Sequence, residues 1–166
     1  MNDKILLPID ITHPHEEFFT LLDELIALPG TAVHLLYVRE ELPAMEHMLR
    51  TLADSPEELN AQIDGKARAV LEQIKAKLEA RGAAVTTEIV GGPAAMMIES
   101  VARDEGFKFT AIAPGSQATV DKFLLGRISA KVVRHAPGTV LLLRGDPQTK
   151  LSHVVIGLDG SEHSKW

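Results

Sequence analysis

Cysteine is absent from this 166-residue chain. That excludes a disulfide framework and any thiolate metal centre. Aromatic residues are scarce, at 4%, while small aliphatic residues are abundant. Such a balance suits a parallel sheet buried on both faces by helices. No apolar run approaches membrane-spanning length. The first residues, Met-Asn-Asp-Lys, lead straight into a short apolar stretch, so no cleavable leader and a cytoplasmic location are expected. Basic residues do not dominate: the formal net charge is −6, which argues against gripping a nucleic-acid backbone over a broad surface. What is present is an ordinary 45% of apolar residues in a chain of single-domain size.

The apolar pattern alternates strand and helix. Lys4–Asp10 reads as a buried strand ending in a carboxylate. Thr12 reads as the N-cap of a helix over 15–28, with Phe18, Leu21, Leu22, Leu25 and Ile26 on one face and Pro29-Gly30 as its stop. Ala32–Val38 is a second strand. A polar stretch with Pro43, Met45, His47 and Met48 follows, read as a short helix or a lid. Ser55-Pro56-Glu57-Glu58 is a capping box with proline at the first helical position. The helix it opens carries Leu59, Ile63, Ala67, Val70, Leu71, Ile74 and Leu78 at helical spacing and ends at Gly82. Ala84–Val90 is the third strand. Pro93 starts a helix with Met97, Ile98, Val101 and Ala102 inward; Phe109–Ala113, a last helix and Thr139–Leu143 complete the set. Strands alternating with helices imply parallel strands, right-handed crossovers and an open α/β sheet.

The run from Ile112 to Arg144 carries the most chemistry. It reads as strand, Gly-containing loop, helix start, helix, turn and strand. That order places the free N–H groups of a helix start at the C-terminal end of a parallel strand, a place that favours anions, phosphates above all. Gly115, Gly126, the turn Arg134-His135-Ala136-Pro137 and Gly91-Gly92-Pro93 together resemble the universal stress protein family. The resemblance implies a five-stranded parallel sheet in the order 3-2-1-4-5, Rossmann-like and of the adenine nucleotide alpha hydrolase-like kind, with Asp10 and Gly115 facing across the switch point. It implies ATP or AMP as ligand. Asp10 would meet the sugar, Val38 the adenine, and Gly115, Ser116, Gly126, Ile128 and Ser129 the phosphates.

This sequence departs from the family pattern at that loop. Ala118 stands in place of the second glycine, and Gly115 to Gly126 is two residues short. Arg127 replaces a phosphate-binding Ser or Thr. Arg127 reads two ways: gripping an anion from the helix start, helped by Lys122, or filling an emptied pocket against Asp10, Asp121 or a glutamate. The resemblance therefore implies a stress-response regulatory domain that dimerises and carries a degenerate adenine-nucleotide site. The alternative is a competent ATP-binding switch in which Arg127 substitutes for the hydroxyl.

Residues 154–162, Val-Val-Ile-Gly-Leu-Asp-Gly-Ser-Glu, look like the start of the chain written again, with Asp159 matching Asp10 and Ser161 matching Thr12. The expected organisation is one domain over 1–147, then a linker and the first strand of a truncated second repeat over 148–166. The apolar last strand, Thr139–Leu143, would be an exposed edge that invites pairing. The resemblance implies a homodimer through that strand, or pairing with the missing second domain. His13 and His15 bracket Pro14 without a third ligand at a recognisable spacing and read as solvated loop residues, so no metal site is expected. His135 is expected to meet free carbonyls at the helix end. No nucleophile elbow, His-Glu-x-x-His helix or Walker loop is present, so the sequence offers no catalytic residue and the chain is not expected to be an enzyme.

Overall fold

The computed structural model describes residues 4–14, 19, 22–26, 30–40, 56–113 and 126–143. Within them the order is β1 (Lys4–Pro8), α1 (Asp23–Ile26), β2 (Ala32–Arg39), α2 (Pro56–Glu79), β3 (Ala84–Gly91), α3 (Ala94–Asp104), β4 (Phe109–Ile112), α4 (Arg127–His135) and β5 (Thr139–Leu142). The five strands form one parallel sheet in the order β3-β2-β1-β4-β5, as the resemblance implied.

Strand alternation sorts the apolar side chains onto two faces. On β1, Ile5, Leu7 and Ile9 join Val33 and Leu35 of β2 beneath α1 and α2. Leu6 and Leu36 point the other way, into a second cluster with Ile98, Val101 and Ala102 of α3 and Val132 of α4. The near-unbroken run Ile5-Leu6-Leu7 is what burial on both faces requires. Pro8 has no N–H for the ladder and is the last residue of β1, after which Ile9 N–H still reaches Leu36 O at 2.8 Å.

The helices fall where the periodicity put them. Pro56 opens α2, and Ala67, Leu71, Ile74 and Leu78 are buried. The turn after α2 is closed by Gly82 N–H to Glu79 O and Ala83 N–H to Leu78 O, the paired bonds of a Schellman end. Its Arg81 donates to Asp23 of α1 at 2.7 Å. Of the helix expected over 15–28, the described part is α1. Ser55, the polar stretch 41–50 and the repeat at 154–162 lie outside the described residues.

Two glycines are fixed by backbone shape. Gly92 takes φ 138° as the chain leaves β3, its N–H extending the ladder to Arg39 O at 3.0 Å. Gly138 takes φ 76° between α4 and β5, and a Cβ there would lie 2.6 Å from Lys108 O. That close approach lets Thr139 N–H bond Lys108 O at 2.9 Å and start the pairing of β5 with β4.

Candidate functional site

The C-terminal ends of β1, β2 and β4 bring the expected site residues towards one edge of the sheet, where doubly wound folds bind ligands. Asp10 follows β1 and is exposed. Its Oδ1 accepts from Thr12 N–H at 2.9 Å and from Thr12 Oγ1 at 2.6 Å, a local turn that fixes the carboxylate. Thr12 thus gives its hydroxyl proton to Asp10, and the start of the helix it was expected to cap lies outside the described residues. Val38 lies near the end of β2, opposite Val90, and packs partly buried against the α3–α4 face.

Tyr37, beside Val38, points to the other face and packs against the α2 core. Its phenol pKa is raised, first by burial, then by the charges of Asp64 and Asp10; Glu40 adds to this and Arg39 works against it. Arg39 Nη1 and Asp64 Oδ2 pair at 2.5 Å, joining the end of β2 to α2.

Gly126 is the N-cap of α4, with φ −56° and ψ 154° and no side chain closing the first turn. Ser129 in that turn is 3% exposed, and its hydroxyl donates back to Ala113 O at 3.3 Å. It thereby fastens α4 to the end of β4. Ile128 is partly buried against the α3–α4 core. Arg127 is exposed, and among the described residues no carboxylate lies within ion-pair distance of it. Of the partners considered for Arg127, Asp10 and the described glutamates are thus not in ion-pair contact with it, and Asp121 lies outside the described residues. Gly115, Ser116, Ala118, Asp121 and Lys122 lie outside the described residues.

Arg127 instead lines a cleft of about 470 Å³ between α3 and α4. Lys131 and His135 line it at successive turns of α4, with Glu99 and Met96 from α3. His135, expected to serve the helix end, shares this cleft. Glu40 lines it too and accepts Ala94 N–H at 3.2 Å, capping α3 from the end of β2. The cleft thus carries three basic groups from one helix face and two carboxylates. The spacing Arg127, Lys131, His135 was visible in the sequence as i, i+4, i+8. Its opposition to Glu40 and Glu99 needed the fold.

The universal stress protein family profile matches residues 1–144. This chain belongs to the universal stress protein family. The universal stress protein fold is also what solved structures share with it. Hypothetical protein MJ0577, the subject of a structure-based assignment of biochemical function, is 26% identical, with a TM-score of 0.73 over 87% of this chain and 97% of that one. Universal stress protein UspA from Lactobacillus plantarum is 21% identical, with a TM-score of 0.60 over 86% of this chain and 98% of that one. A universal stress protein from Archaeoglobus fulgidus, solved in complex with dAMP, is 14% identical, with a TM-score of 0.60 over 85% and 97%. No protein of curated function matches the chain by sequence. Among the described residues no helix is long and apolar enough to cross a membrane.

Proposed function

We propose that this chain is a regulatory stress-response domain that works by pairing and not by catalysis, and whose adenine-nucleotide site is degenerate. The observation that carries the reading is the first turn of α4. Arg127 stands where the family places a phosphate-binding hydroxyl and faces the α3–α4 cleft. The hydroxyl that the turn does possess, on Ser129, is buried and given to Ala113 O. Apart from Arg127, which faces the cleft, a helix start that has lost its hydroxyl keeps backbone N–H groups and dipole for an anion, and an exposed dipole contact is worth ~0.3–1 kcal/mol.

A second reading, a competent ATP or AMP switch, is favoured by Gly126. Its φ of −56° is open to any residue, so backbone shape does not explain the glycine, whereas close approach of a phosphate would. A relative of this fold is solved with dAMP. Mass spectrometry of the purified chain separates the two. Under the degenerate reading no stoichiometric nucleotide co-purifies, and Gly126→Glu changes nothing in the small-molecule fraction. A stoichiometric adenine nucleotide, lost in Gly126→Glu, would establish the switch instead.

For pairing, β5 is the candidate surface. It bonds only to β4 among the described residues and lies at the end of the strand order, with Val140, Leu141 and Leu142 each half-buried. We infer a homodimer through Thr139–Leu143, or pairing of that strand with a second domain of which 148–166 is the linker and first strand. The family match ending at residue 144 is in keeping with that boundary.

A further inference from the structure

The α3–α4 face of the sheet has a second opening, at the opposite end from the nucleotide edge. His34 of β2 and Glu88 of β3 share that face, and Glu105, the C-cap of α3, comes down beside them. One donor atom from each lies within 4.8 Å of the other two. A hollow of about 260 Å³ lined by Lys4, His34, Thr86, Glu105 and Phe107 adjoins them. We propose that His34, Glu88 and Glu105 form a site for a divalent metal ion of the zinc class.

The imidazole is oriented for this. Its Nδ1 faces Thr86 Oγ1 at 2.8 Å, directly across the β2–β3 register, and its Nε2 faces Glu88 Oε2 at 3.1 Å. With no cation bound, Nε2–H donates to Glu88 Oε2; a metal ion displacing that proton would leave Nδ1–H on Thr86 Oγ1 and the Nε2 lone pair on the ion, the arrangement that bound histidines adopt. The ring is held further by Phe107, with centroids 5.4 Å apart, and the His34 side chain is 12% exposed. Two carboxylates thus converge beside Nε2. Like charges so placed repel, and a cation between them removes the repulsion. One imidazole and two carboxylates make a three-ligand set that leaves a position for water. Ligands at about 2.0–2.2 Å from a tetrahedral ion lie roughly 3.3–3.6 Å apart. With the donor atoms already within 4.8 Å of one another, closure asks for a shift of no more than about 1.5 Å, available to Glu105, which is exposed.

Lys4 bears on the same hollow, its Nζ 5.8 Å from the centre of the Phe107 ring. Its charge opposes a cation and would assist an anion, so it discriminates between the two. The ligands come from two strands and a helix end, so a bound ion would tie edge strand β3 to α3.

The test is calorimetric titration of the whole chain with zinc chloride, repeated on Glu105→Gln, Glu88→Gln and Lys4→Met, with circular dichroism to confirm each fold. The chain has other histidines, so the variants decide. The proposal expects one equivalent bound with micromolar affinity, at least tenfold weaker in Glu105→Gln and Glu88→Gln, and a few-fold tighter in Lys4→Met. Saturating zinc should raise Tm by about 5 °C in the native chain and not in Glu105→Gln. Titrations unchanged by both glutamine variants, or no saturable binding, would overturn it. Weaker binding in Lys4→Met would overturn it in favour of an anion.

Discussion

The two faces of the sheet are made by the same strands and differ in what covers them. On one face lie α1 and α2, and the 24 residues of α2 span about 36 Å at 1.5 Å per residue. The eight-residue strands β2 and β3 span roughly 26 Å, so that helix is longer than the strands it covers. On the other face lie α3 and α4, of 11 and nine residues, about 16 and 14 Å long. Each is shorter than the eight-residue strands β2 and β3. The cleft at Arg127 and the hollow at His34 are both on that face. Among the described residues, the face of the shorter helices α3 and α4 is the one that carries the cleft and the hollow.

The largest effect expected from this contrast is on the α2 face. Ile74→Ala removes a fully buried side chain from the larger cluster and should destabilise the fold by about 2–5 kcal/mol, read by urea denaturation. A loss below 1 kcal/mol would mean that α2 is not the closed scaffold described. Next comes Gly138→Ala. The positive φ and the 2.6 Å approach to Lys108 O should together cost roughly 1–3 kcal/mol and loosen β5. Faster hydrogen exchange confined to β4 and β5 would be its mark.

Tyr37 offers a smaller effect that reports on the join between the faces. It is the single tyrosine, so absorbance titration reads it alone. The midpoint should lie above 10.0, and Asp10→Asn should bring it down. Because the folded state holds the phenolic proton more tightly, the associated stability is full below pH 10.0 and is lost as pH rises through the raised pKa. A midpoint at or below 10.0 would contradict the placement of Tyr37 beside Asp64 and Asp10. The smallest effect belongs to the cleft: Met96, 65% exposed, should change stability by no more than about 0.5 kcal/mol as Met96→Ala.

Most of the scaffold was legible in the sequence because its signals are local. Pro56, Gly82, Pro93 and Pro137 punctuate, and Ala67, Leu71, Ile74 and Leu78 keep time for α2. The strand order came from the resemblance, since nothing local in β1 states that it lies between β2 and β4. The site was legible only in part. Asp10 and Gly126 could be placed from strand and helix ends, yet the inward turn of the Ser129 hydroxyl depends on Ala113, 16 residues away. His34, Glu88 and Glu105 are separated by 54 and 17 residues, and only the β2–β3 register and the end of α3 bring them together. No spacing rule finds such a set.

The central claim, that α4 begins with a degraded phosphate cradle, is tested most directly by isothermal calorimetry of the purified chain with ATP and with AMP. The account predicts no saturable binding of either at micromolar concentrations, which leaves the chain a pairing module. Micromolar, one-to-one binding abolished by Gly126→Glu would contradict it, and would mean that Arg127 and the bare helix start hold phosphate after all.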